Sequence, residues 1–534
     1  MQPLTPEQQQ WVEKTLASLS LEQCVAQLLQ PKIDNESSVD PLLKMMEKIP
    51  FGGLFVWNAT REEHLERIGR LQNASRIPIV VAADLENGPG YVVAGMTQFP
   101  DTLAVGAANS EELAYAMGQA SALGGRASGI HWTFAPVADV NLNPDNPIAN
   151  TRSLGDNPER IGPLAAAIIR GMQEHGLAAC AKHFPGDGID DIDQHISTSV
   201  NSLPLETWKA VSARTFNVAF AAGVWSVMIG HIAFPAWDPE KDKRGAYRPA
   251  TVSRRIVTGL LRKEMKFDGL IVTDDMNMGG VAGYMNRRDR IVASIHAGCD
   301  MFLFPLLPYT YEVLLAAVKS GELSEERVAD AARRVLEFKA RLNLHTGQLI
   351  GRTPAAGELD SFDQAARQIA EKALVCVRDV NGLLPLRLSP GARVLTVTAT
   401  NDNLDLPDID KELTSRGFRV QHIIADNYGC VDKFMGEVDA IFINFAFKAN
   451  WGIGSPRSVG PHNRMFMNGF HMEHPCVIFT SFGSPYHLRQ FSTLPNLINT
   501  HSGSPCSQRA AVAAWFGEIP ITGKSPVGNL ERNL

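Results

Sequence analysis

The stretch Cys180–His195, C-A-K-H-F-P-G-D-G-I-D-D-I-D-Q-H, concentrates side chains able to do chemistry. It leaves the apolar run Leu177-Ala178-Ala179 through Lys182-His183 and turns at Pro185-Gly186. It then packs four aspartates and a histidine into the nine residues from Asp187 to His195. Ending a buried strand in charge is costly, and loops that carry such groups are where function concentrates. Asp193 and His195 are two apart, so on an extended loop they share a side and the carboxylate can hold and polarise the imidazole. Histidine is the side-chain type whose ordinary pKa lies nearest neutrality, which suits a proton shuttle. Asp274-Asp275, at the end of another apolar run, can supply a nucleophile. A nucleophilic carboxylate beside a proton shuttle is the equipment for cleaving a glycosidic bond with retention. One carboxylate attacks the anomeric carbon; the second group protonates the leaving oxygen and later deprotonates water. The acidic loop could instead ligate a divalent metal. It lacks EF-hand spacing, and the first strand ends Val56-Trp57-Asn58 rather than in H-x-H, so no metal and no cofactor is expected.

The elements that must hold these residues alternate along the chain. Apolar runs at 53–57, 77–83, 131–136, 177–182, 224–230, 269–273 and 299–304 read as strands. Helical stretches lie between them, among them 111–127, 158–175, 205–222, 254–264 and 287–297; residues 6–30 read as helix with a break at Leu19-Ser20. Strands and helices in alternation mean βαβ units and a parallel sheet. The number of units and the uninterrupted apolar strands favour a (β/α)8 barrel over an open sheet. Asp84, Lys182-His183, His231 and Asp274-Asp275 each stand where such a strand runs out. In a barrel those ends converge on one face, so four of them ending in polar groups point to a catalytic face. Residues 344–361 have no clear period and hold Gly, Pro and Thr, which places a linker there. The expected domains are therefore a barrel at 1–343, the linker, and a smaller α/β domain at 362–534, whose strands are 393–397, 418–424, 440–445 and 476–480.

At 534 residues the chain is too long for one ordinary core. Its net charge of −7 leaves no electrostatic footprint for nucleic acid, and no apolar run is long enough for a membrane helix. Seven cysteines without a C-x-x-C pair read as free thiols in a reducing compartment, and the start of the sequence has no secretory leader; a cytoplasmic enzyme is expected.

The chain resembles family 3 glycoside hydrolases, in their β-N-acetylglucosaminidase branch. The resemblance rests on Leu19–Gln23, Ala83-Asp84-Leu85-Glu86-Asn87-Gly88, Phe134–Asn141, Asn146-Pro147 through Arg152-Ser153-Leu154-Gly155, Lys182-His183-Phe184-Pro185-Gly186, Thr273-Asp274-Asp275-Met276-Asn277-Met278 and Ala297-Gly298-Cys299-Asp300. It implies Asp274 as nucleophile and His195 as a histidine acid/base assisted by Asp193. It also implies sugar-hydroxyl contacts from Asp84, Arg152, Lys182 and His183, with His231 in the same pocket. Asp275, alternating with Asp274, points away. The second part resembles the family's αβα sandwich, from Asn381–Leu386 to Gly523–Val527, and two roles are open to it: closing the cleft or forming a homodimer.

Two departures stand out. Other members read K-H-F-P-G-H-G where this chain has Asp187, and G-G-R-V where it has Asn87-Gly88-Pro89-Gly90. Glucosidases of the family draw an acid/base Glu from the second domain, so the D-x-H loop favours N-acetylhexosaminides as the small carbohydrate substrate. Two alternatives remain: a phosphorylase, because a histidine acid/base carries no negative charge that would repel phosphate, and a non-catalytic sugar-binding protein.

Overall fold

The structure is a computed structural model that describes residues 3–33, 38–401 and 405–531. The first part of the chain forms strands β1 (Leu29–Gln30), β2 (Lys32–Ile33), β3 (Gly53–Val56), β4 (Val80–Ala83), β5 (Trp132–Thr133), β6 (Cys180–Phe184), β7 (Ser199–Val200), β8 (Ser226–Ile229), β9 (Ile232–Ala233), β10 (Leu270–Thr273) and β11 (Phe302–Leu303). β2, β3, β4 and β5 pair in that order, all parallel. Parallel bridges Trp132↔Ala178 and Val137↔Lys182 join β5 to the β6 segment. β6, β8 and β10 pair in parallel, Val272 bridges Met301, and β11 pairs with β1. The succession of parallel neighbours thus returns to the segment where it began. β3, β4, β6, β8 and β10 are buried at every position, which is why their sequences do not alternate, although β6 carries Lys182 and His183.

Helices cover these strands through apolar stripes. In Pro158–Gln173, residues Ile161, Leu164, Ala165, Ile168, Ile169 and Met172 are buried, and the Asn157 side chain accepts from the Glu159 N–H at its start. It packs on Glu111–Ala127 at very short range: a Cβ at Gly118 would lie 2.4 Å from the Ile168 carbonyl oxygen, and one at Gly171 2.2 Å from that of Tyr115. Glycine is therefore required at both positions.

Two expectations need correction. The break expected at Leu19-Ser20 is present, between helices Pro6–Ala17 and Leu21–Gln27, opened by capping boxes at Thr5 and Ser20, but the helix expected to run on to residue 30 ends at Gln27 and the chain enters β1 and β2. Pro31 lacks the N–H a helix needs, and Gln30 is buried with its amide donating to the Leu54 carbonyl. The helix expected over 205–222 is interrupted at Val211, between Leu205–Ala210 and Ser212–Ala221. Ser212 there packs against the Gly186 turn, where a Cβ would meet its side chain at 2.8 Å.

The second part contains β12 (Val375–Asp379), β13 (Arg393–Thr400), β14 (Arg419–Ile424), β15 (Ala440–Ala446), β16 (Val477–Ser481) and β17 (Asn496–Asn499), in the order β12-β17-β16-β15-β13-β14. All neighbours are parallel except β12 and β17. Helix Ala356–Lys372 extends into the stretch read as linker and packs on both Glu111–Ala127 and Pro505–Trp515. One apolar core spans both parts, taking in Leu154 and Val227 from the first and Val394, Phe442 and Trp515 from the second. Polar contacts between the parts include Asn141 Nδ2 donating to Tyr486 OH, the Asp101 N–H donating to Ser502 Oγ, and an Arg457–Asp145 ion pair. Among the described residues no helix is long and apolar enough to cross a membrane.

Candidate active site

The polar residues that follow the parallel strands form three linked groups. In the first, Lys182 Nζ on β6 donates to Asp84 Oδ1 at 3.0 Å and lies 2.6 Å from Glu86 Oε1, both just past β4. Arg152, from a long connection after β5, donates to both oxygens of the same glutamate, at 2.7 and 3.1 Å. Burial pushes the Glu86 carboxyl up, but Arg152 and Lys182 outweigh it and hold the group well below the ordinary carboxylate range. Burial likewise works against the Lys182 ammonium, and Asp84 and Glu86 overcome it. Asp84 keeps a side chain 30% exposed beside a Lys182 that is only 3% exposed, so Asp84 is the group of this set most open to a ligand.

In the second group, the buried Asp139 carboxylate accepts from the His183 backbone N–H, from the Asp187 N–H, and from His183 Nδ1 at 2.7 Å. This fixes the His183 ring with its proton on Nδ1 and leaves Nε2 for other contacts. A register shift between Ala181 and Phe184 in the β6–β8 pairing lets this segment depart from plain alternation.

The third group surrounds Asp274, directly after β10. Its N–H donates to the Ile229 carbonyl, and its Oδ1 accepts from the Asp275 N–H at 2.8 Å. Burial raises the Asp274 carboxyl, yet His183, His231 and His195, all near enough to act on it, bring it below its ordinary value. Asp275 Oδ1 is occupied by the backbone and side-chain N–H groups of Asn277, and burial raises its carboxyl. On the loop, Asp193 Oδ1 accepts from the His195 backbone N–H at 2.8 Å and from His195 Nδ1 at 2.7 Å. Asp193 Oδ2 accepts from the Gly452 N–H at 2.8 Å, a donor contributed by the second part of the chain. Burial raises the Asp193 carboxyl, and these hydrogen bonds more than reverse it, so the group stays ionised. The His195 side chain is 27% exposed, which leaves its Nε2 edge accessible.

Three of the four carboxylates of the acidic loop turn to separate partners. Asp190 accepts from the Val200 and Ile192 N–H groups, Asp193 serves His195, and Asp187 points inward. Asp187 Oδ1 accepts from Asn146 Nδ2 and the Gly188 N–H, and Oδ2 from Gln194 Nε2 at 3.1 Å. Burial and the charge of Asp139 push its carboxyl up to about 6.

The structure thus brings Asp84, Arg152, Lys182, His183, Asp193, His195 and Asp274 to the strand-end region. His231 needs revision as a sugar contact. It is fully buried, its Nδ1 is 2.7 Å from Thr251 Oγ1, and its Nε2 is 2.9 Å from the Asp275 carbonyl oxygen. With both ring nitrogens engaged, it ties Thr251 to the segment after β10. Sequence reasoning missed Glu86, Asp139, Gln194 and Gly452. Glu86 and Asp139 stood inside the segments that carried the family resemblance; Gly452 acts through its backbone and leaves no side-chain signal.

Parallel strands that end in carboxylates, a buried lysine and an Asp–His pair are the layout of a glycoside hydrolase. The chain belongs to glycosyl hydrolase family 3, whose N-terminal domain profile matches residues 20–338. It is 30% identical, over 97% of its length and 95% of the relative's, to a protein of Cellulomonas fimi named beta-N-acetylglucosaminidase/beta-glucosidase. A beta-glucoside phosphorylase, BglX, bound to 2FGlc superposes with a TM-score of 0.90 at 30% identity, over 98% of this chain and 97% of that one. A family 3 beta-N-acetylglucosaminidase from Paenibacillus sp. str. FPU-7 superposes with a TM-score of 0.86 at 26% identity, over 96% of this chain and 99% of that one.

Proposed function

We propose that this enzyme is a retaining exo-β-N-acetylglucosaminidase that releases terminal N-acetylhexosamine from glycosides. Asp274 attacks the anomeric carbon as the glycosidic bond breaks, while His195 Nε2 delivers a proton to the leaving oxygen. In the second half-reaction, neutral His195 takes a proton from water, the water oxygen attacks the anomeric carbon, and Asp274 is released. Asp193 keeps the imidazole ring in the tautomer this needs and stabilises its charged form. Asp84, Arg152, Lys182 and His183 bind the sugar hydroxyls. The observation that carries this reading is the 2.7 Å Asp193–His195 pair beside an Asp274 whose carboxyl is held low by the surrounding histidines.

The architecture under this reading is a (β/α)8 barrel at 1–343 and an αβα sandwich at 362–534. The pairing succession that returns to β1, and the six-stranded second sheet, support it. A cytoplasmic location is supported by seven free cysteines, of which Cys24, Cys180, Cys299, Cys430 and Cys506 are buried.

A second reading, a β-glycoside phosphorylase, is favoured by the whole-chain likeness to BglX. A panel of nitrophenyl glycosides, each run with and without phosphate, tests both. The first reading expects the N-acetylglucosaminide to be cleaved fastest, with free sugar as product. Accumulation of the sugar 1-phosphate, with turnover dependent on phosphate, would replace hydrolysis by phosphorolysis; preference for the glucoside would overturn the hexosaminide assignment.

A further inference from the structure

Gln194, between the two members of the Asp193–His195 pair, is completely buried although it belongs to an acidic loop. Its Oε1 accepts from the His231 backbone N–H at 2.8 Å. A backbone N–H can only donate, so the carboxamide has one permitted orientation: oxygen toward His231, Nε2 toward Asp187 Oδ2. Asp187 is just as constrained. Its own N–H is tied to Asp139, the carboxylate that orients His183, and its Oδ1 is committed to Asn146 and Gly188. Only an acceptor fits opposite Gln194.

Around this side-chain bridge the loop is fastened through its backbone. The Gln194 and His195 carbonyls accept from the Gly280 and Gly279 N–H groups at 3.0 and 2.7 Å, on the segment that follows Asp274. The approach is too close for side chains: a Cβ at Gly279 would lie 2.0 Å from the Ile196 carbonyl oxygen, and one at Gly280 2.6 Å from that of Gln194. The loop is therefore docked onto the strand ends that carry the proposed nucleophile, with Gln194 as the plug.

We propose that Asp187 and Gln194 form a latch that holds His195 in register with Asp274, so that Asp187 is a positioning residue acting on proton transfer through Gln194. The inference rests on the assignment of His195 as acid/base. It also accounts for an aspartate at the position where this chain departs from K-H-F-P-G-H-G. The polarity of the bridge dictates the test. Asp187→Asn sets an amide N–H₂ against Gln194 Nε2, donor against donor; Gln194→Glu sets carboxylate against carboxylate. The exchanged pair, Asp187→Asn with Gln194→Glu, restores a donor facing an acceptor, keeps one negative charge and still offers an oxygen to the His231 N–H.

Values of kcat/KM are measured for the three variants, the wild type and His195→Ala on aryl glycosides of graded leaving-group acidity, with a thermal melt of each. General acid catalysis matters for poor leaving groups and little for good ones. The single variants are expected to lose about 100-fold on a poor leaving group and less than about threefold on dinitrophenolate, and the exchanged pair to regain at least about tenfold of that loss. If the single variants do not fold, the slope of the exchanged pair alone decides, and it should match the wild type. Equal losses across all leaving groups, or no recovery in the exchanged pair, would overturn the latch. Should His195→Ala itself show no leaving-group dependence, the acid/base assignment falls and the latch with it; dependence in His195→Ala but not in the latch variants removes the latch alone.

Discussion

Replacing Glu86 by Gln removes one negative charge from a buried set that balances two carboxylates, Asp84 and Glu86, against two cations, Lys182 and Arg152. The shape is preserved, so packing is not the issue. Glu86 Oε1 takes N–H groups from Arg152 and Lys182 at 2.7 and 2.6 Å, and Oε2 takes Arg152 Nε at 3.1 Å. A glutamine can place its oxygen at only one of the two positions, and its N–H₂ at the other must then face a donor. Removing one partner of a buried ion pair costs about 3–5 kcal/mol. The Glu86 side chain is 10% exposed, so solvent screens little of this, but Asp84 still holds Lys182 at 3.0 Å, which favours the lower end. About 3 kcal/mol expressed at the transition state is roughly two factors of ten in rate. The expected result is a loss of about 100-fold in kcat/KM on a nitrophenyl N-acetylglucosaminide, with a melting temperature lower by a few degrees. Added salt should not restore activity, because screening acts weakly on buried charges. A variant within about threefold of wild type, with an unchanged melt, would refute the reasoning that Glu86 organises the two cations.

Two further outcomes follow from particular contacts. Trp451 is 70% exposed on the loop whose Gly452 N–H holds Asp193, with its ring centroid 6.4 Å from that of His195. Under the proposed mechanism the leaving group departs on the His195 side, so Trp451→Ala should lower kcat/KM about tenfold for a disaccharide and leave a glycosyl fluoride nearly unaffected; equal effects on both would place Trp451 elsewhere. Lys339 is completely buried with Gln27 Oε1 as its partner at 2.6 Å, and burial pushes its ammonium down to about 7. The folded state binds fewer protons than the unfolded one between about pH 7 and the ordinary lysine range near 10.4, so wild-type stability rises with pH across that window. Lys339→Met should therefore gain most in melting temperature at pH 7 and below, with the gain shrinking toward pH 10; a gap that does not change with pH would contradict a buried, reluctant charge.

The strand ends were legible because an apolar run that stops at Asp, Lys or His breaks a pattern every residue before it obeys. Asp84, Lys182-His183 and Asp274 announced themselves in this way, and Asp193–His195 did so by spacing. Gln194 carries no charge and stands among aspartates, so nothing in its type or spacing signals that it is completely buried. Glu86 and Asp139 act on residues 66 and 44 positions away, and Gly452 on one 259 positions away, distances over which local pattern is silent. β1 and β2 were lost for a different reason: at two residues each they are too short to show a period, they come directly after a helix, and β1 pairs with β11 far along the chain. β12 and β17 escaped because the first is only partly buried and the second is bounded at both ends by asparagines.

Double displacement at this site depends on Asp274. A slow-turnover fluorinated glycosyl fluoride should accumulate a covalent glycosyl-enzyme, and proteolysis followed by mass spectrometry should place the sugar on the peptide containing Asp274, with no adduct in Asp274→Ala. An adduct on another carboxylate, or continued turnover by Asp274→Ala, would contradict the double-displacement chemistry assigned to this site.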